Sequence, residues 1–266
     1  MTRARGFAAL LEAFAGGKRA ALARAMSIVE DSRPECDELL AALHPRVGRG
    51  RRIGVTGPPG AMKTSFCYAL MSTYLKRTNE FGLYTTLEET VQSHLKNMES
   101  LGIDLSMNMQ ISDFTALREI DQMVGESEQT NYLDFIEKMI AHFKKTHGDR
   151  FKLFALDSLG ALYSLMEDVS AMRKRMFYFF KMLRDYNLIS MVVMERELGG
   201  QSQLLGNEGF LVDGIIHLGL DRSRGKLARY LQVEKMRACE HSVEKHALEA
   251  RKGSLAVLGP IFEAGA

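Results

Sequence analysis

An apolar stretch, Ile53–Thr56, runs straight into Gly57-Pro58-Pro59-Gly60-Ala61-Met62-Lys63-Thr64, and helical periodicity follows from Lys63 to Arg77. The eight residues fit the pattern G-x-x-x-x-G-K-[ST] at every fixed position but one, Met62 standing where the second glycine is expected. Strand, tight loop and helix in that order aim the N–H groups of the loop and of the first helical turn at one point, a geometry that accepts phosphate. On this reading Gly57, Pro58, Pro59, Gly60, Ala61, Met62, Lys63, Thr64 and Ser65 surround the phosphates of a nucleoside triphosphate. Lys63 brings a point charge to the β and γ phosphates, and the Thr64 hydroxyl coordinates Mg2+. A side chain at Met62 is expected to restrict a strained backbone or to crowd the phosphate path. A loop that binds nucleotide but hydrolyses it poorly is therefore a second reading of the same residues.

The surrounding texture fits one α/β domain. Short apolar runs at Ile53–Thr56, Gly82–Leu87, Met109–Ser112, Leu153–Asp157, Ile189–Met194 and Gly214–Leu218 alternate with amphipathic stretches at Lys63–Arg77, Val91–Leu101, Tyr132–Lys145 and Val169–Tyr186. That alternation predicts a mostly parallel sheet flanked by helices. After Leu218 no helix is evident, and Ala228–Lys235, His246–Ala250 and Leu255–Leu258 predict closing antiparallel strands. Before Arg52 the pattern is helical, at Phe7–Phe14, Lys18–Glu30 and Pro34–Leu43. The expected organisation is a helical arm over residues 1–50 and a nucleotide-binding domain over 51–266.

A phosphate loop needs acids beside it. Lys152-Leu153-Phe154-Ala155-Leu156-Asp157-Ser158 is an apolar strand ending in a carboxylate, which suits Asp157 to holding Mg2+ through water. Leu83-Tyr84-Thr85-Thr86-Leu87-Glu88-Glu89 ends in two. One of Glu88 and Glu89 can position the attacking water as a general base while the other braces it. Alternatively, both open the helix that follows, where carboxylates favour the dipole.

This order of motifs resembles the RecA superfamily and its KaiC-like branch, over residues 52–263. The resemblance implies a RecA-like core, assigns a catalytic role to Glu88 and Glu89, and gives Asp157 the acidic position of the magnesium-side strand. Val233-Glu234-Lys235-Met236-Arg237 resembles the family's late K-x-R strand, which implies that Lys235 and Arg237 reach the γ phosphate bound by a neighbouring subunit. A solvated, exposed strand is the other reading of that triplet. Self-assembly into a ring or filament, a hexamer among the options, follows from the resemblance, as does ATP hydrolysis with mechanical or regulatory output or autophosphorylation, acting on a protein client that the sequence does not name. The stretch from Lys18 to Gly60 resembles instead the start of MeaB/ArgK-type GTPases, metallochaperones of cobalamin-dependent mutases. Against a GTPase throughout, no N-K-x-D motif follows a later strand, and the candidate strand runs into Met194-Glu195-Arg196-Glu197.

Composition narrows the alternatives. With 35 Lys and Arg against 33 Asp and Glu the formal charge is +2, which names no polyanionic partner. Cys36, Cys67 and Cys239 lie far apart and read as reduced intracellular thiols. Arg3, Arg5 and Phe7–Leu11 imitate a secretion signal, but Glu12 cuts the apolar stretch short. No run is apolar enough for a membrane helix, and a cytoplasmic protein is expected. Gly199–Asn207 occupies the place of a recombinase DNA loop, yet it has little positive charge and no aromatic platform. DNA pairing is thus possible but not favoured. The helix Met172–Met182, rich in Met and Phe, is expected to pack in the core.

Overall fold

The computed structural model of the protein describes residues 2–15, 18–30, 35, 38–39, 42, 51–115, 131–164, 169–195, 209, 211–221 and 227–261. Its contacts divide the chain into two units, residues 1–48 and 49–266. In the first, α1 (Thr2–Ala15) and α2 (Arg19–Glu30) share a small core of Leu10, Ala21, Ala25, Ile28 and Leu39. The expected helix Pro34–Leu43 falls mostly outside the described residues.

The second unit is a nine-stranded sheet with helices between its parallel strands. In chain order its elements are β1 (Arg52–Gly57), α3 (Lys63–Arg77), β2 (Phe81–Thr86), α4 (Val91–Ser100), β3 (Met109–Asp113), α5 (Tyr132–His147), β4 (Phe151–Asp157), the short α6 (Leu159–Ser164), α7 (Val169–Asp185), β5 (Ile189–Glu195), β6 (Gly214–Asp221), β7 (Ala228–Met236), β8 (His246–Arg251) and β9 (Ser254–Pro260). The sheet order is β3-β2-β4-β5-β1-β6-β7-β8-β9. Pairing is parallel from β3 to β6 and antiparallel from β6 to β9. The α/β class and the antiparallel C-terminal set are as the sequence leads one to expect.

Strand periodicity explains how both faces are covered. Along β4, Leu153 and Ala155 enter one apolar cluster with Tyr68, Met71 and Leu75 of α3, while Phe154 and Leu156 enter the other with Ile136 of α5 and Phe179 of α7. In β5 the residues Met191, Val192, Val193 and Met194 alternate in the same way. Burial on both sides makes the central strands continuous apolar runs, and it leaves their C-terminal ends as the place where polar groups can emerge. The core expectation for Met172–Met182 holds for Met176, Phe179 and Phe180, whereas Phe177 and Tyr178 are 54% and 56% exposed. The loop Gly199–Asn207 lies outside the described residues. No helix among the described residues is long and apolar enough to cross a membrane.

Candidate active site

Strand β1 lies between β5 and β6, so the loop after it emerges at the middle of the sheet. Two of its glycines have separate reasons. A Cβ on Gly57 would lie 1.9 Å from the Leu218 carbonyl oxygen of β6, so only glycine lets the chain turn there. Gly60 has φ +79 and open space around it, so its constraint is conformational. Met62 sits at the N-cap of α3 with φ 71 and ψ 33, in the left-handed region. The position that the phosphate-loop pattern reserves for glycine thus keeps a glycine-like backbone here but carries a side chain. Left-handed backbone costs a non-glycine residue about 1 kcal/mol. Met62→Gly is expected to raise stability by about that amount without weakening nucleotide binding, and Met62→Val to lower it, as thermal unfolding with and without ATP would read.

Lys63 opens α3 and is buried; its Nζ donates to the Pro58 carbonyl at 3.0 Å and lies 3.3 Å from Glu195 Oε1. Glu195 closes β5, beside β1, and it is a member of the site that sequence reasoning missed. Asp157 closes β4 and is buried; it accepts hydrogen bonds from the Thr64 hydroxyl and, at 2.6 Å on Oδ2, from the Tyr84 phenol. Burial pushes its carboxyl above the ordinary value, against the pull of those two donors and of nearby His94 and Lys63. Glu88, after β2, accepts from the Ser158 hydroxyl and is exposed to the cleft. Its carboxyl is also raised, first by burial, then by Asp157 and Glu195, while the Ser158 hydrogen bond and Lys63 oppose the shift. Lys63, Thr64, Glu88, Asp157 and Glu195 line one open cleft of about 260 Å³, with Pro59, Gly60 and Met62 on its loop side.

The paired acids part company. Glu89 turns to α4, where it accepts from His94 Nδ1 at 2.8 Å, Asn97 Nδ2 at 2.9 Å and Ser93 Oγ at 3.2 Å. Glu88 lines the cleft, whereas Glu89 faces α4. Thr90 caps the same helix by accepting from Ser93 N.

Lys235 and Arg237 stand at the other end of the sheet. Because β7 runs antiparallel to β6, its first residues flank the phosphate loop, and the Arg229 guanidinium donates to the Gly60 carbonyl at 3.2 Å. Lys235 and Arg237 lie roughly 20 and 26 Å farther along the strand. There Lys235 Nζ donates to the Gly209 and Val212 carbonyls, and Arg237 Nη1 is 3.9 Å from Asp213. Asp213 also receives Arg52 through its backbone N and its guanidinium. Burial works to raise the Asp213 carboxyl, but the Arg52 hydrogen bonds and charge prevail and hold it below the ordinary value. Neither Lys235 nor Arg237 reaches the cleft of its own protomer. Arg229 instead holds the loop, through the Gly60 carbonyl, although its only signal in the sequence is a basic residue early in the strand.

The donor set fits Mg2+. Thr64 and Asp157 offer hard oxygens, and no group of three or more His, Cys, Asp or Glu among the described residues is placed to hold a metal by itself. An ion that keeps several waters and binds through one or two protein oxygens and substrate phosphates matches such a site.

The chain's similarities agree with this geometry. The family model described as ATPase: KaiC matches residues 34–260. A UPF0273 protein of Methanopyrus kandleri is 30% identical over 206 residues, covering 73% of this chain and 79% of that protein. The circadian clock oscillator protein KaiC of Synechococcus elongatus is 25% identical over 198 residues, 72% of this chain and 37% of that protein. Among solved structures, the KaiC-like protein of Pyrococcus horikoshii superposes with a TM-score of 0.65 at 22% identity, over 79% of this chain and 90% of that one. The GTPase resemblance of the N-terminal stretch gains no support from these matches.

Proposed function

The chain belongs to the KaiC family of ATPases, and from that premise we propose that it is a magnesium-dependent ATPase whose sites are completed by a neighbouring copy of the same chain. The convergence of Lys63, Thr64, Asp157 and Glu88 on one cleft at the C-terminal ends of parallel strands carries the reading. Loop N–H groups and Lys63 hold the triphosphate, and Lys63 exchanges its Glu195 partner for phosphate oxygens. Thr64 and Asp157 would hold Mg2+, which when bound would neutralise charge on the triphosphate. Glu88 takes the proton of the water that attacks the γ phosphorus as the bond from that phosphorus to the β–γ bridging oxygen breaks and ADP leaves, and the raised carboxyl suits a group that must accept a proton. Arg229 steadies the loop from its own protomer.

Lys235 and Arg237 complete the neighbour's site in this account. Their distance from their own cleft and their rigid attachment to the β6–β7 pair favour action across an interface, in a ring or filament. Stabilising charge on the transferred phosphoryl group in this way contributes a rate factor of about 10³ or more. We place such an assembly in the cytoplasm, with a protein client rather than DNA. Arg237→Ala is expected to lose most turnover while binding ATP. Mixing it with Lys63→Ala should restore activity, because some interfaces then pair an intact cleft with an intact finger. Failure of the mixture to recover activity would return the basic pair to a role within its own subunit.

A further inference from the structure

The Glu89 carboxylate is engaged by three donors, from His94, Ser93 and Asn97, so little of its acceptor capacity is left to orient a water. The partner with the most to add is His94, which is fully buried. Its ring centroid lies 4.7 Å from that of Tyr84 and 5.1 Å from that of Tyr68. Nδ1 faces the carboxylate and so carries the proton, while Nε2 has no partner among the described residues. A leucine would fill this apolar space without leaving a buried nitrogen unpaired, so what distinguishes the histidine here is its hydrogen bond to Glu89. Tyr84 in turn is fully buried and directs its hydroxyl to Asp157 Oδ2. An apolar side chain at this strand position would complete the core equally well and give Asp157 nothing.

We infer that Glu89, His94 and Tyr84 form a buried positioning path that fixes the Asp157 carboxylate for the metal–nucleotide complex, with Glu89 acting through the two rings rather than on the reacting atoms. The inference rests on the magnesium role proposed for Asp157. A carboxylate that holds an ion partly through water needs a defined direction, and a donor fixed on Oδ2 sets that direction. Glu89 fixes the imidazole that α4 carries, the imidazole packs on the Tyr84 ring, and the phenol carries the placement to the end of β4. None of the three lines the cleft.

Titration of Mg2+ against the 266-residue chain, read by a fluorescent methylanthraniloyl-ADP, separates this path from a general contribution to folding. Tyr84→Phe keeps the ring and deletes only the hydroxyl. Its affinity for the analogue in EDTA should equal that of the natural chain, while the Mg2+ concentration giving half of the further gain should rise about tenfold. Glu89→Ala should shift the same midpoint in the same direction, Glu89→Gln should recover most of the shift by keeping an acceptor for the His94 N–H, and Glu89→Ala should add nothing to Tyr84→Phe. The Glu89 variants, on the less buried end of the path, carry the test should Tyr84→Phe fail to fold. A natural chain that gains affinity with Mg2+ and a Tyr84→Phe chain that gains it at the same concentration would overturn the path. Additive effects of the two substitutions would overturn it as well. Absence of any Mg2+ gain in the natural chain would sink the magnesium role of Asp157 itself, and the path with it.

Discussion

Lys63→Ala is expected to bind ATP at least about 100-fold more weakly than the natural chain, the loss that follows when one partner of a buried, charge-assisted pair is removed. Two effects add. The β and γ phosphates lose their point charge, and Glu195, now without the cation 3.3 Å away, joins Asp157 and Glu88 in facing the incoming triphosphate with like charge. Because Lys63 is buried against the Pro58 carbonyl, a surface lysine elsewhere on the chain cannot take its place. Equilibrium binding in the presence of Mg2+ measures the effect, and an affinity within a few-fold of the natural chain would remove the phosphate-loop assignment.

Glu88→Gln should leave ATP affinity close to that of the natural chain and cut turnover about 10²-fold or more, the contribution of a positioned general base. The amide can still accept from the Ser158 hydroxyl, so the side chain keeps its place while losing the ability to take a proton. The contrast with Glu89→Gln is the sharper part of the expectation. That substitution keeps an acceptor for His94 and should lose far less turnover, because its carboxylate faces α4. Single-turnover hydrolysis of bound ATP compares the two; equal losses would mean that Glu89 acts on the reacting atoms, and no loss in Glu88→Gln would move the base elsewhere.

Where the sequence was informative, contiguity was the reason. Phosphate loop, strand and helix are adjacent in the chain, so Gly57 to Ser65 could be read as one object, and the alternating burial of β4 and β5 wrote their strands into continuous apolar runs. The sheet order, with β1 inserted between β5 and β6, rests on pairing between distant segments that no local pattern records. The same limit hid Glu195. It is an acid at the end of an apolar strand, the signal that picked out Asp157, but its importance comes from β5 lying beside β1. Arg229 depended on the antiparallel register of β6 and β7 for its approach to Gly60. Glu88 and Glu89 looked like a pair because they are neighbours, yet consecutive residues leaving a strand point to different sides, and here one meets the cleft and the other a helix. Met62 was legible as a departure from the glycine pattern, while its left-handed backbone was not.

Steady-state hydrolysis of ATP and GTP, measured side by side with Mg2+ and with Lys63→Ala as the background, addresses the proposed activity directly. The account predicts turnover of ATP in preference to GTP, dependent on Mg2+ and absent in Lys63→Ala. A preference for GTP would contradict it and favour the GTPase resemblance of the N-terminal stretch, and no turnover of either nucleotide would contradict it in favour of a module that Met62 has left able to bind ATP without hydrolysing it.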